Sequence, residues 1–178
     1  MMELHPMTYE ERPALRRLYR RAFPANERFS WSQLERLAVE GKAELLCIEE
    51  DGSPAGLMFT MLDQKRVLLS YFAIFPHRRN GGVGARALHA LYERCKGRPI
   101  CVEIEDPDEP QVENKEQRIH RKGFYLRNDM KAIAKMHAYD AEMELLVNDE
   151  SMTYEDYTAL LRTVVGSKAT ERILMPAP

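Results

Sequence analysis

Three consecutive apolar runs constrain the fold of this 178-residue chain more than any other feature. They are separated by Asp51-Gly52 and by Asp63-Gln64-Lys65, and the third run, Val67 to Phe75, ends at Pro76. Aspartate and glycine tolerate the backbone conformations that tight turns between strands require. The pattern therefore predicts an antiparallel meander of three strands.

Helical spacing and capping residues predict two helices before this meander and three after it. The first begins at Thr8 and ends at Pro24, and the second begins at Ser30 or Ser32 and ends at Gly41. The later elements are a helix over Val83 to Cys95, a strand in RPICVEIED, a helix over Lys115 to Asn128, a hairpin over Met130 to Val147 that turns near Tyr139-Asp140, and a helix over Thr153 to Gly166. This order predicts a mixed α/β (α+β) fold with one mostly antiparallel sheet, flanked by helices and closed by a hairpin and a helix.

The composition of the chain argues against several classes of binding partner. The 26 basic and 28 acidic side chains nearly balance, which argues against nucleic acid as a partner. Three cysteines without CxxC spacing and five scattered histidines give no support for a disulfide framework or a metal site. The start lacks the apolar core of a signal peptide, and no run of 18 apolar residues occurs. We therefore expect a soluble cytoplasmic protein with no membrane partner and no metal.

A glycine-rich turn, RRNGGVGARALHAL, opens the helix that follows the third strand. A helix N-terminus exposes unpaired N–H groups and the positive end of the helix dipole, and glycines let an anion approach the backbone closely. Arg78, Arg79 and Arg86 add charged donors that suit phosphate oxygens. The segment therefore indicates a phosphate site, although a surface turn with solvated arginines fits the same letters.

Two other phosphate-binding loops compete with this interpretation. The P-loop pattern is absent, which removes the P-loop nucleotidases. Gly82 to Ala87 satisfies the dinucleotide fingerprint Gly-x-Gly-x-x-Ala, and Glu103 lies about twenty residues later, where that fold places a ribose-binding carboxylate. However, residues 76–81 separate the strand from Gly82, and too little sequence follows Glu105 to build a doubly wound sheet. A dinucleotide-binding oxidoreductase therefore stays a minor alternative.

The segment LLSYFAIFPHRRNGGVGARALHAL resembles the acyl-CoA pyrophosphate motif of the GNAT superfamily of N-acetyltransferases. In that motif an apolar strand and a proline precede Arg/Gln-x-x-Gly-x-Gly/Ala at the start of a helix, and Arg79, Gly82 and Gly84 occupy its fixed positions. The order of elements matches as well. The resemblance covers about residues 1–148 and implies a single acetyltransferase domain over 1–178, with residues 149–178 as a helical appendage.

The resemblance also implies which residues hold acetyl-CoA, the co-substrate. Backbone amides of the loop would bind the pyrophosphate, and backbone groups of the preceding strand would hold the pantetheine arm and polarise the thioester carbonyl. The loop residues are Arg79, Asn80, Gly81, Gly82, Val83, Gly84 and Ala85, and the strand residues are Phe72, Ala73 and Ile74.

Acyl transfer to an amine needs a base, because most amines arrive as ammonium ions. The period of two in PICVEIE places Cys101, Glu103 and Glu105 on one strand face, opposite Ile100, Val102 and Ile104. The resemblance implies that the first face borders the acceptor cleft. We favour Glu103 as the base because it lies deeper in the strand than Glu105. Glu105 as the base, water alone, or a half-solvated strand face without a catalytic role all stay open.

Tyr125 is the candidate acid, because FYLRN resembles the GNAT segment whose tyrosine lies beside the thioester sulfur. A phenol with a pKa near 10 stays protonated at neutral pH and can donate to the departing thiolate. Alternatively, Phe124 and Tyr125 are simply the buried stripe of their helix. The sequence departs from the family at Arg118, which stands where an asparagine is common, and leaves the contribution of Asn114 open.

Together these observations predict an N-acetyltransferase, an acyltransferase that moves acetyl from acetyl-CoA to a primary amine by direct attack. The acceptor is a small molecule or a peptide, and the chain is a monomer or a homodimer. The alternative is a CoA-binding regulatory or interaction module that lacks turnover.

Overall fold

The structure is a computed structural model and describes residues 1–175. Its strands are β1 (Met2–Pro6), β2 (Ala43–Glu50), β3 (Ser53–Leu62), β4 (Val67–Ile74), β5 (Ile100–Glu105), β6 (Lys131–Ala138) and β7 (Ala141–Val147). Its α-helices are α1 (Arg12–Ala22), α2 (Trp31–Val39), α3 (Val83–Arg94), α4 (Lys115–Leu126), α5 (Tyr154–Val165) and α6 (Ser167–Leu174). The strands form one sheet in the order β1-β2-β3-β4-β5-β7-β6. The mixed α/β fold with a mostly antiparallel sheet is therefore confirmed.

Two of the predicted hairpins are closed by tight two-residue turns. Asp51 and Gly52 link β2 to β3 with φ values of 52° and 76°, and Tyr139 and Asp140 link β6 to β7 with φ values of 54° and 58°. Two consecutive residues with positive φ are typical of the type I′ turn, whose twist matches that of paired strands. The β6–β7 turn therefore places two non-glycine residues in the left-handed region.

The chain divides into two compact units, of which the first comprises residues 1–62 and 69–96. In this unit β1 pairs antiparallel with β2, from Met2 opposite Glu50 to Pro6 opposite Leu46, and β2 pairs antiparallel with β3. Apolar side chains of α1, α2 and the strands are fully buried, including Leu15, Leu34, Leu46 and Phe59. These contacts hold the glycine-rich turn on a packed scaffold.

The second unit comprises residues 63–68 and the chain from Gly97 onward. In it β7 lies between β5 and β6 and is antiparallel to both, with Glu103 opposite Leu145 and Ile104 opposite Glu144. Helix α5 buries Tyr157, Leu160 and Leu161 completely. Helix α5 is thus part of the apolar core of this unit. The single domain over 1–178 stays a prediction.

The structure adds two elements to the predicted ones and corrects the start of a third. β1 and α6 were not predicted, because a five-residue strand and an eight-residue helix are too short to show a clear period. Helix α1 begins at Arg12 rather than Thr8. Thr8 and Glu11 do bond each other reciprocally, with Thr8 N–H donating to Glu11 Oε2 over 2.8 Å, but they form the turn that precedes the helix.

Within residues 1–175, no helix is both long and apolar enough to cross a membrane.

Candidate active site

The glycine-rich turn leaves the N-terminus of α3 without a side-chain cap. The chain passes from Phe75 through a short 3₁₀ turn to Asn80 and Gly82, whose φ values of 67° and 73° lie in the left-handed region. Gly82 is the N-cap residue, so the first N–H groups of α3, from Val83 to Ala85, have no partner within the helix. These N–H groups and the helix dipole can bind an anion.

Two of the three arginines near this turn brace it. The Arg86 guanidinium forms an ion pair with Glu50, and its Nη1 donates to the Gly81 carbonyl oxygen over 2.9 Å. Arg78 Nη2 donates to the Glu50 carbonyl oxygen over 3.0 Å. The expectation that Arg78 and Arg86 present free donors to phosphate therefore needs correction, because both hold the turn against the end of β2. Arg79 is exposed and uses only Nε internally, on the Ile74 carbonyl oxygen at 3.0 Å.

A basic cavity of about 310 Å³ lies beside the turn in the first unit. Arg79 lines it together with Arg17 and Arg21 of α1, and the apolar part of its wall includes Leu18 and Phe75. Arg17 and Arg21 were not among the candidate binding residues that the sequence indicated. Their spacing of four residues, which puts both on one helix face, was the signal that could have placed them here.

The backbone polar groups of β4 point alternately toward β3 and away from it. A Cβ added at Gly56 of β3 would lie 2.2 Å from the Ala73 carbonyl oxygen, so glycine permits this close approach. The Phe75 N–H donates to the Ala55 carbonyl oxygen over 2.9 Å. Because the polar groups of successive residues point to opposite sides of a strand, those of Phe72 and Ile74 point away from β3.

Glu103 is half-buried on β5, and two tyrosine hydroxyls meet its Oε1 atom. The Tyr157 hydroxyl donates a short hydrogen bond to it, and the Tyr139 hydroxyl lies 3.5 Å from it. Burial raises the pKa of the Glu103 carboxyl to about 7, although the two hydroxyls act in the opposite direction. A carboxyl with this pKa can gain and lose a proton near neutral pH.

Glu105 is bound far more firmly by charged partners. Arg118 Nε lies 2.7 Å from Glu105 Oε2, and Arg121 Nη1 lies 3.4 Å from Oε1. Asn114 Nδ2 also donates to Oε2, over 3.1 Å. Arg118, the departure from the family pattern, is itself buried and contacts Glu109 as well. These groups therefore form a network that joins the end of β5 to the start of α4.

Tyr125 of α4 is buried, and burial raises the pKa of its hydroxyl to about 12. Its hydroxyl makes no hydrogen bond within the part of the chain that the structure describes. Lys122 of the same helix donates to Glu144 over 2.9 Å, and Glu144 shares a strand face with Ile104. Helix α4 thus contacts side chains on both faces of the β5–β7 pair, Glu144 through Lys122 and Glu105 through Arg118.

Several solved structures share this architecture. A protein assigned to the GNAT family in Bacteroides thetaiotaomicron aligns at 26% identity with a TM-score of 0.77, over 93% of this chain and 99% of that chain. The ribosomal-protein-S18-alanine N-acetyltransferase from Escherichia coli aligns at 15% identity and a TM-score of 0.61, over 88% and 98% of the two chains. An aminoglycoside 6'-N-acetyltransferase complexed with coenzyme A aligns at 15% identity and a TM-score of 0.64, over 83% and 95%. The last two show a shared fold alone.

A comparison with curated proteins finds no significant match to the sequence. The model of the acetyltransferase (GNAT) family, in contrast, matches residues 12–124. That range is more than half of the chain and includes β4, the glycine-rich turn and α3. The chain therefore belongs to the GNAT acetyltransferase family and is an acyltransferase.

Proposed function

We propose that this protein transfers the acetyl group of acetyl-CoA to a primary amine by direct attack of the amine on the thioester. The observation that carries the proposal is the uncapped N-terminus of α3 beside a cavity lined by Arg17, Arg21 and Arg79. Free N–H groups and guanidinium groups are suited to a ligand that carries several phosphate groups, as acetyl-CoA does.

In this proposal the N–H groups of residues 79–85 bind the pyrophosphate of acetyl-CoA. The ion pair between Arg86 and Glu50 holds the turn in the conformation that binds the pyrophosphate, so the turn does not have to rearrange when acetyl-CoA binds. Backbone groups of Phe72, Ala73 and Ile74 line the pantetheine arm, and the N–H groups of Phe72 and Ile74, which point away from β3, polarise the thioester carbonyl. The polar groups of Ala73 face β3 instead. Binding energy from these remote contacts positions the thioester for attack.

Glu103 accepts the proton of the ammonium ion, directly or through a water molecule. Its pKa of about 7 suits a base that works at neutral pH. Glu105 is a poorer candidate, because its carboxylate is engaged by Arg118 and Arg121. Cys101 is fully buried, and burial raises the pKa of its thiol. A thiol in this state is a weak nucleophile, which supports direct transfer over an acyl-enzyme intermediate.

Tyr125 donates a proton to the departing thiolate. Its hydroxyl has a pKa of about 12 and therefore carries its proton throughout the physiological range. The thiol, with an ordinary pKa near 8.5, is a stronger acid than this phenol, so the departing thiolate first accepts a hydrogen bond from the hydroxyl. It receives the proton only as the hydroxyl regains one from the amine that has attacked the thioester.

The acceptor is a small-molecule or peptide amine. The named activities of the structural neighbours cover both kinds, an alanine of a ribosomal protein and an aminoglycoside. A cytoplasmic location and a monomeric or homodimeric state stay predictions.

Calorimetric titration with acetyl-CoA tests the proposal on the wild-type chain and two variants. Gly81→Glu adds a carboxylate to the turn, and a Cβ at Gly81 meets no atom within 4 Å, so the fold tolerates it. Gln64→Glu adds the same charge at an exposed turn between β3 and β4. We expect micromolar binding by the wild type and by Gln64→Glu, and binding at least about tenfold weaker by Gly81→Glu because of repulsion between like charges.

A panel of primary amines, including an aminoglycoside and alanine-starting peptides, then tests turnover. Formation of free thiol that depends on the amine supports the transferase proposal. Tight acetyl-CoA binding without amine-dependent turnover favours the CoA-binding module instead. Absence of binding by the wild type overturns both, and NAD(H) becomes the next ligand to titrate.

A further inference from the structure

Three metal-binding side chains converge in the first unit, away from the glycine-rich turn. His5 of β1 lies directly opposite Cys47 of β2, so the two side chains share one face of the sheet. Glu11, the N-cap residue of α1, completes the group. One ligand atom from each side chain lies within 4.8 Å of the other two. Three different elements therefore supply a nitrogen, an oxygen and a sulfur ligand to one point.

Hydrogen bonds orient two of these side chains toward the common point. His5 Nδ1 lies 3.1 Å from the Pro6 carbonyl oxygen, which can only accept, so Nδ1 carries the proton and Nε2 faces the group. Glu11 Oε2 accepts the Thr8 N–H over 2.8 Å, which leaves Oε1 to face His5. Such outer hydrogen bonds are the usual means by which proteins fix the orientation of metal ligands.

The His5 imidazole lies slightly farther from its two carboxylates than a usual hydrogen bond, while the Cys47 thiol is hydrogen-bonded to Glu11. His5 Nε2 lies 3.5 Å from Glu11 Oε1 and 3.5 Å from Glu49 Oε2. Ligands of a tetrahedral Zn²⁺, at about 2.0–2.3 Å from the ion, lie about 3.3–3.7 Å from one another. Hydrogen bonds between nitrogen and oxygen are ordinarily about 2.7–3.2 Å long. The two nitrogen–oxygen distances are therefore close to the edges of a zinc tetrahedron, and Cys47 Sγ lies within 4.8 Å of the nitrogen and of the Glu11 oxygen.

We propose that His5 Nε2, Glu11 Oε1 and Cys47 Sγ bind one Zn²⁺ ion. The mixture of imidazole, carboxylate and thiolate favours zinc over magnesium or calcium, which prefer oxygen ligands alone. The thiol of Cys47 loses its proton to solvent when the ion binds, and Glu49 supplies a second carboxylate beside the open fourth position. The partly exposed side chains of His5 and Glu11, at 23% and 13%, give the ion its path to the site.

The proposed ion has a structural role. It joins β1 and the start of α1 to β2, and so fixes the edge strand of the sheet to its neighbour. The site is independent of the proposed acetyl-CoA site, because none of its ligands belongs to the glycine-rich turn or to the cavity beside it. Binding of zinc can therefore be tested even if the chain does not use acetyl-CoA.

The test begins with the full chain freed of metal by dialysis against a chelator. Titration with Zn²⁺, followed by calorimetry, should show one equivalent bound per chain. Titration with Co²⁺ should produce the near-ultraviolet charge-transfer band of thiolate ligation. The band identifies the site, because the second group of metal-binding side chains found within residues 1–175, Asp106, Asp108 and Glu144, contains no sulfur.

Two variants and one control assign the ligands. We expect His5→Gln and Cys47→Ala each to weaken zinc binding at least about 100-fold, and Cys47→Ala to abolish the cobalt band. Cys95→Ala removes another buried thiol of the same unit and should leave both signals unchanged. If Cys47→Ala does not fold, His5→Gln decides the question, because its side chain is partly exposed and its loss leaves the core intact.

Thermal unfolding supplies a third measurement. Zinc should raise the midpoint of the wild-type chain and of Cys95→Ala, but not that of His5→Gln, since a ligand that binds only the native state stabilises it. Failure of the wild type to bind one equivalent, or full binding by His5→Gln, overturns the proposal. In either case protonated His5 is itself the cation between Glu11 and Glu49.

Discussion

Glu103 is half-buried and has two hydroxyl partners. If it is the base, its pKa should determine how kcat/KM depends on pH. Its carboxyl has a pKa of about 7, so protonation removes the base as the pH falls. We expect kcat/KM of the wild type to decline below about pH 7 and this limb to disappear in Glu103→Gln. The residual activity should be about 10²–10⁴-fold lower, which is the usual range for loss of a general base.

The matched control for that variant is Glu105→Gln on the same strand. Glu105 is engaged by Arg118 and Arg121, so its replacement should lower stability while leaving the acidic limb near pH 7. An acidic limb that persists in Glu103→Gln, with chemistry rate-limiting, would assign the proton transfer to another group or to water.

Tyr157 tunes the same carboxyl from α5. Its hydroxyl donates to Glu103 Oε1 and favours the ionised form, so Tyr157→Phe should raise the pKa of Glu103 further. We expect the acidic limb of the pH–rate profile to move to higher pH. Tyr139→Phe should produce a smaller shift in the same direction, because its hydroxyl lies 3.5 Å away. Equal profiles in the wild type and Tyr157→Phe would contradict this coupling.

Tyr125→Phe tests the proposed acid in the same assay. The variant keeps the buried ring and loses only the hydroxyl, so the fold and acetyl-CoA binding should be unchanged. We expect kcat to fall about 10²–10⁴-fold while the affinity for acetyl-CoA stays within twofold. Full kcat with chemistry rate-limiting would leave Tyr125 as part of the buried stripe of α4.

At the scale of elements, α5 is held by a cap that the sequence itself encodes. The Thr153 hydroxyl accepts the Asp156 N–H, and the Asp156 carboxylate accepts the Thr153 N–H. We expect Thr153→Ala to lower the free energy of unfolding by about 1 kcal/mol, measured by urea denaturation. Thr163→Ala, at an exposed position inside the helix, is the control and should change it by less than about 0.5 kcal/mol.

Turn residues explain how much of the fold the sequence could predict. Asp51-Gly52 marks the hairpin between β2 and β3, because few residue pairs accept two positive φ values. Tyr139-Asp140 adopts the same backbone in the β6–β7 turn, although tyrosine rarely has a positive φ. The short β1 carries no comparable local signal, since its pairing with β2 depends on residues forty or more positions away. Turns could therefore be predicted from the local sequence, whereas strand pairing between distant segments could not.

In the candidate site, too, the local features could be predicted from the sequence and the contacts between distant residues could not. The period of two placed Glu103 and Glu105 on one face, but nothing local distinguishes a carboxylate held by Arg118 from one held by Tyr157. Likewise, the glycine-rich turn was visible, whereas the pairing of Arg86 with Glu50 connects positions 36 residues apart. Motifs indicated where the chemistry lies, and tertiary contacts determined which side chains are available for it.

For the whole molecule, the raised pKa of Glu103 links the proposed function to stability. The carboxyl has a pKa near 4.5 in ordinary surroundings and about 7 when folded, so the folded chain binds the proton more tightly. Stability contributed by this group is therefore present below about pH 4.5 and is lost as the pH rises through about 7. The full loss corresponds to about 3 kcal/mol at 1.36 kcal/mol for each pKa unit.

Glu103→Gln should consequently stabilise the chain at alkaline pH while it lowers activity. The amide stays neutral at every pH, and its Oε1 atom can still accept the Tyr157 hydroxyl. We expect urea denaturation to show a gain over the wild type of up to about 3 kcal/mol at pH 8 that shrinks toward zero near pH 5. Glu105→Gln should instead be destabilised at both pH values, because it leaves the buried Arg118 without one of its carboxylates. A difference between Glu103→Gln and the wild type that does not change with pH would mean that Glu103 ionises equally easily in the folded and unfolded chains, and a pKa near 7 could then no longer support its role as the base.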